Sequence, residues 1–219
     1  MHETTDIKSP PHLQRREPLF IIKIGGNIID DEKKLRSFLT QFASITAKKI
    51  LVHGGGKMAT KIAEDGKVPQ QLIEGRRVTD VETLKIVTMV YAGSINKNIV
   101  AQLQELKCNA MGLCGADGNL VKAHKRGHGS IDYGFVGDVD EVNSELLHSL
   151  LCLDLTLVVA PITHNGQGQL LNTNADTMAQ EIAKAMSATY DTYLIYSFEK
   201  EGVLLDLTDE DSVIKTLNE

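Results

Sequence analysis

Two glycine loops in this chain carry groups suited to handling phosphate. Lys23-Ile24-Gly25-Gly26 closes the apolar run Leu19–Ile22, and His53-Gly54-Gly55-Gly56 closes Ile50–Val52. Glycines directly after a strand let bare backbone N–H groups converge on an anion, and a helix start beside them adds a favourable dipole. Lys23 brings a full positive charge to the first loop. A third segment, Gly75-Arg76-Arg77-Val78-Thr79-Asp80, sets two guanidiniums just before a helical pattern. Arginine forks match carboxylates through paired hydrogen bonds. A fourth, Asn172-Thr173-Asn174-Ala175-Asp176, puts Asn174 where it caps a helix and Asp176 in the first turn, where the positive end of the dipole suits an acidic side chain. Taken singly, each segment also has a bland reading: a tight turn, a solvated arginine pair, a well-capped helix. Neither Gly-x-x-x-x-Gly-Lys-Ser/Thr nor Gly-x-Gly-x-x-Gly occurs, so the familiar nucleotide loops are absent.

The elements that must hold these loops follow from periodicity. Leu19–Ile24 reads as a buried strand and Ile50–His53 as another. Asp30 or Asp31 caps a helix whose inward face is Leu35, Phe38, Leu39, Phe42 and Ile45, and Lys57–Ala63 forms a short helix after the triple glycine. Thr79-Asp80-Val81-Glu82 reads as a capping box with Thr79 as the cap. It opens the longest helical pattern, with Leu84, Val87, Tyr91, Ile95 and Ile99 along one stripe. Ile86 and Val90 widen that stripe, which suits either a subunit contact or burial on two sides within one chain. Asn109–Leu113 and Leu155–Pro161 are further strands, Ile131–Val142 a β-hairpin or short antiparallel excursion, Thr177–Met186 a helix, and Thr192–Phe198 a last strand before a glutamate-rich turn at Glu199–Gly202. Strands alternating with helices predict an α/β fold with parallel strands.

Composition narrows the function classes. The 219 residues are 42% apolar and 24% charged, enough for one substantial core or two small lobes sharing a sheet. A net charge of −6, a pI near 5.7 and only 5% aromatic residues without tryptophan argue against a nucleic-acid partner. No apolar run reaches the length of a membrane span. Residues 1–18 are polar, contain Pro10, Pro11 and Pro18, lack the apolar centre of a secretion signal, and read as a flexible tail. Cys108, Cys114 and Cys152 form no C-x-x-C pair, so neither a disulfide framework nor a metal site is expected, and the thiols point to the cytoplasm. His53 reads as a strand-end histidine bonded to backbone rather than a titrating catalyst. His124 and His128, flanking Lys125 and Arg126, read as an exposed basic loop whose charge draws anions.

The order Lys23-x-Gly25-Gly26, His53-Gly54-Gly55-Gly56, Gly75-Arg76-Arg77-Val78-Thr79, then Asn172-x-Asn174-x-Asp176 resembles the amino acid kinase family, and within it the acylglutamate kinases, from Phe20 to Ile214. The resemblance implies a three-layer α/β/α sandwich with a mostly parallel central sheet, the carbamate kinase-like fold. It also implies an N-terminal lobe for the acylated amino acid, here 19–176, and a C-terminal lobe for ATP, here 177–219. By that resemblance Lys23 stabilises the phosphoryl group in flight and Asp176 orients the lysine. The Gly25 and Gly26 amides serve the nucleotide phosphates, and Gly55 and Gly56 cradle substrate oxygens. Arg77 forks onto a carboxylate, Asn172 and Asn174 hold polar groups of the substrate, and Glu199, Lys200 and Gly202 fall in the loop that receives the nucleotide. The implied reaction is ATP-dependent phosphorylation of the γ-carboxylate of an N-acylglutamate, acetyl or succinyl, in arginine biosynthesis. Mg²⁺ travels with the ATP, and a homodimer is expected. Acylglutamate kinases continue past the position matching Glu219 through a Gly-Gly-Met-x-x-Lys segment. For the chain as given, the alternative is therefore an inactive module that binds the acylated amino acid. The Ser197–Gly202 turn also differs from the family's D-x-x-G.

Overall fold

The computed structural model describes residues 16–55, 57–73, 76–127, 131–197 and 212. Most of the expected tail, residues 1–15, lies outside them. The first half of the chain holds β1 (Pro18–Ile24), α1 (Gly26–Ile29), α2 (Glu32–Ser44), β2 (Lys48–His53), α3 (Met58–Asp65) and the two-residue strands β3 (Leu72–Ile73) and β4 (Arg76–Arg77). A long helix follows, built as α4 (Val81–Val87), a π-helical stretch over Thr88–Ile95, and α5 (Asn96–Glu105). The second half holds β5 (Ala110–Cys114), β6 (Val121–Lys125), β7 (Val136–Val142), α6 (Ser144–Cys152), β8 (Thr156–Ala160), β9 (Ile162–His164), β10 (Leu170–Thr173), α7 (Ala175–Met186) and β11 (Asp191–Ser197).

Five strands form the central sheet in the order β11-β1-β2-β8-β5, and every neighbouring pair is parallel. Parallel strands need both faces covered, and the alternation of side chains along them supplies two cores. Ile22, Ile24, Leu51 and Val158 face Leu35, Leu39 and Phe42 of α2 and the long helix from Leu84 to Leu103. Leu19, Ile21, Ile50, Val52, Leu157 and Val159 face Leu147 and Leu151 of α6 and Met178, Ile182 and Met186 of α7. This is the expected α/β/α sandwich. A smaller sheet, β10-β7-β6-β9, closes on itself beside it. The run Ile131–Val142 supplies β7 from Val136 onward, which pairs antiparallel with β6, a strand outside that run.

Two local expectations change and one open choice closes. The cap of α4 is Asp80, whose carboxylate accepts from the Thr83 amide, because Thr79 is drawn into a bridge with Gly134 and its hydroxyl donates to the Arg77 carbonyl. Gly134 takes a positive φ of 71°, and a Cβ there would overlap the Thr79 carbonyl oxygen, so only glycine fits this crossing. Ile86 and Val90 are buried within the chain, which resolves the widened stripe as burial on two sides. The second change is His124, which lies on β6 with its Nδ1 2.6 Å from Asp140 Oδ1 rather than in a loop; His128 lies outside the described residues. No helix among the described residues is long and apolar enough to cross a membrane.

Candidate active site

The carboxyl ends of parallel strands are where α/β sheets open a crevice. Here β1, β2 and β10 end around one cavity of about 250 Å³, lined by Lys23, Gly25, Gly26, Gly54, Gly55, Arg77, Asn172, Asn174 and Asp176, with Tyr91 and Arg126 among the remaining walls. Residues separated by more than 150 positions thus share one space.

Strand parity explains how Lys23 arrives. Leu19 and Ile21 face the α7 layer, so Lys23, next in that series, leaves the strand end beside the first turn of α7. Its Nζ lies 2.8 Å from Asp176 Oδ1, with the lysine side chain 17% exposed and the aspartate 52%. Asp176 is held there because Asn174 caps α7, its Oδ1 accepting from the amides of Asp176 and Thr177 at 2.8 and 3.0 Å. The Tyr196 hydroxyl at the end of β11 donates to the Asp176 carbonyl at 3.3 Å.

The glycine loops are clasped to one another. Asp30, one of the two candidate caps, is not the cap of α2; Asp31 is, accepting from the Lys33 and Lys34 amides. The Asp30 carboxylate instead accepts from the Lys57 amide at 2.9 and 3.0 Å, joining the end of the first loop to the start of α3. The helix directly after Gly25 is a single turn, Gly26–Ile29, so dipole support for an anion comes chiefly from the twelve-residue α7.

Arg77 enters from β4. Its guanidinium donates to Gln70 Oε1 and, at 2.8 Å, to Thr60 Oγ1, which fixes the plane of the fork. Asn172 donates through Nδ2 to Thr79 Oγ1 at 3.0 Å, and the Asn172 amide donates to the Phe135 carbonyl. The arginine segment and the N-x-N-x-D segment are therefore in direct contact. Arg126 reaches the cavity from beyond β6, its Nε donating to both Asp138 carboxylate oxygens at 3.0 and 3.1 Å and its guanidinium 5.6 Å from the Tyr133 ring centroid. The three cations Lys23, Arg77 and Arg126 against the carboxylates of Asp176 and Asp138 make a cavity for anions inside an acidic protein.

His53 is buried, and its ring is fully engaged. Nδ1 bonds the Gly54 carbonyl at 2.9 Å, which makes it the N–H donor, and Nε2 accepts from Asn96 Nδ2 at 3.2 Å. Burial pushes its pKa down to about 4, against the opposing effect of the Gly54 carbonyl and with help from nearby Lys97. It is a neutral structural histidine at the root of the second glycine loop.

Tyr91 and Arg126 are among the lining residues that escaped the sequence reading. Tyr91 sat on a stripe assigned to the core, and Arg126 in a stretch assigned to solvent. Gly56, Glu199, Lys200 and Gly202 lie outside the described residues. No group of three or more His, Cys, Asp or Glu among the described residues could hold a metal ion.

The chain matches the model of the amino acid kinase family over residues 18–219. An acetylglutamate kinase of Cytophaga hutchinsonii is 56% identical over 203 residues, covering 92% of this chain and 77% of that protein. One from Bacteroides fragilis is 53% identical over 203 residues, covering 93% of this chain and 78% of that protein. The solved structure of smu.665 from Streptococcus mutans superposes with a TM-score of 0.73 at 27% identity, covering 85% of this chain and 74% of that one.

Proposed function

Since the chain belongs to the amino acid kinase family, we propose that it transfers the γ-phosphoryl group of ATP to the γ-carboxylate of an N-acylglutamate, the acetyl derivative or its succinyl counterpart, in arginine biosynthesis. The observation that carries this reading is the Lys23–Asp176 pair at 2.8 Å, set where the glycine loops, Arg77 and Asn172 converge.

The reaction asks for positioning and charge rather than for a base. A γ-carboxylate with a reference pKa of ~4.3 is already ionised at neutral pH. One of its oxygens attacks the γ-phosphorus, the bond to the β-phosphate oxygen breaks, and ADP leaves with that electron pair. The obstacle is repulsion between two anions, so the useful groups are cations and N–H donors around the transferring oxygens. To Lys23 we assign this part, with Asp176 at 2.8 Å giving its ammonium a direction. The backbone amides of Gly25, Gly26 and Gly55 line the same cavity. Arg77, already anchored by Gln70 and Thr60, offers its remaining donors to the substrate's α-carboxylate, and Asn172 and Asn174 stand beside it. To Gly56 we assign the substrate oxygens, and to Glu199, Lys200 and Gly202 the nucleotide. Mg²⁺ enters on the ATP phosphates, since the described residues offer no cage of their own.

We assign 19–176 to the acylated amino acid and 177–219 to the nucleotide. A homodimer is supported by Val81 and Met89, which stay 52% and 61% exposed on the long helix. Cytoplasmic location is supported by the free thiols Cys108, Cys114 and Cys152. The test is hydroxylamine trapping: incubation with MgATP and N-acetyl- or N-succinyl-L-glutamate should accumulate the acyl hydroxamate. No hydroxamate from either substrate, with calorimetry registering the amino acid but not ATP, would overturn the kinase reading.

A further inference from the structure

Tyr91 belongs to no phosphate or carboxylate motif, yet it forms a wall of the active cavity beside Gly54, Gly55 and Arg77. It is 7% exposed and lies midway along the π-helical stretch Thr88–Ile95. Such stretches change the phase of the side chains they carry and concentrate at functional sites. The residues around it, Ala92-Gly93-Ser94, include poor helix formers, and a Cβ on Gly93 would meet nothing within 4 Å, so packing does not demand that glycine.

Contacts on two sides say what the ring does. A Cβ on Gly55 would overlap Tyr91 Cε1 and Cζ, so the second glycine loop can pass only because residue 55 has no side chain. On the other side the Arg77 guanidinium lines the same cavity as the phenol and acts on it through its charge. Arg77 is thus held by Gln70 and Thr60, with Tyr91 beside it in the cavity wall. Burial raises the Tyr91 pKa, with Arg77 partly opposing, so the hydroxyl stays protonated at neutral pH and is a dipole rather than a competing anion.

We propose that Tyr91 is a positioning residue for the acylated substrate: its ring spaces the second glycine loop from Arg77, and its hydroxyl aims the guanidinium at the substrate carboxylate. The proposal rests on the kinase reading above and assigns a role that the sequence motifs do not carry. Nucleotide binding lies outside its reach, because Tyr91 acts through Arg77.

Tyr91→Phe keeps the ring and removes only the hydroxyl. Calorimetry should then register about a tenfold weaker Kd for N-acetyl-L-glutamate, the expected cost of one hydrogen bond to a charged group, with the ATP Kd unchanged. Turnover at saturating substrate should stay near that of the parent, so the change appears in KM and not in kcat. In an Arg77→Ala background the same substitution should add nothing further. An unchanged Kd in Tyr91→Phe, equal weakening of both substrates together with a lowered melting temperature, or full additivity with Arg77→Ala would each overturn the proposal while leaving the kinase reading intact. Failure of the parent protein to bind N-acetyl- or N-succinyl-L-glutamate would overturn both.

Discussion

Lys23 and Arg77 line the cavity and His53 lies at the root of its second glycine loop, and each predicts a different experimental signature. Lys23→Ala removes a cation that is worth most when charge moves between the reactants. Turnover should fall about 10²-fold, the usual cost of a lost transition-state donor, while the melting temperature changes little because the ammonium's partner Asp176 is half exposed. Parallel loss of stability and turnover would contradict that role. Arg77→Ala should raise KM for the acylated amino acid by about tenfold to a hundredfold and leave the KM for ATP unchanged, as expected for a charged hydrogen bond to one substrate only. His53 titrates near 6.5 when unfolded and near 4 when folded. Between those values the unfolded chain takes up a proton that the folded chain refuses. Stability is therefore full above pH 6.5 and falls as pH drops towards 4, by up to ~3 kcal/mol at ~1.4 kcal/mol per pH unit. Urea unfolding across that window should reveal the slope, and His53→Gln should flatten it.

Helix caps separate structural from functional effects at the next scale. Asp31 caps α2 and Asn174 caps α7, each accepting from two amides. Replacing either with alanine should cost ~1 kcal/mol of stability by chemical denaturation. Only Asn174→Ala should also depress turnover, because the turn it holds carries Asp176; matching activity in the two variants would break that link. The Asn174 cap was legible from residue type and spacing, and the cap of α2 was narrowed to Asp30 or Asp31. The cap of α4 was not legible, since Thr79 and Asp80 are both good caps and the choice was made by Gly134 and Asn172, far away in the chain. The π-helical stretch was equally illegible. A stripe at four-residue spacing looks the same whether the turns are α or π until the packing of Tyr91 and Ile95 fixes the hydrogen bonds.

The whole molecule is organised by one sheet with two cores. Ile50 and Leu51 are neighbours in β2 and both fully buried, but they face opposite layers. Ile50→Ala and Leu51→Ala should each lose about 2–5 kcal/mol. Because the same strand serves both cores, either variant should unfold in a single transition by circular dichroism and by fluorescence; two separated transitions would show the layers to be independent. The cavity gathers Lys23, Arg77 and Arg126 although the chain carries a net charge of −6, so overall charge argued against nucleic acid without forecasting the sign of the site.

Local pattern in the chain determined the strands of the central sheet, several helix starts, the glycine loops and the parity that sends Lys23 towards α7, because these depend on neighbours a few positions apart. Tertiary structure alone decided that Arg126 turns into the cavity, that Asp30 ties one glycine loop to the other, and that Tyr91 occupies the space Gly55 leaves open. Those meetings depend on strand order and helix phase, which are settled by the summed packing of both cores and leave no signature at any single position.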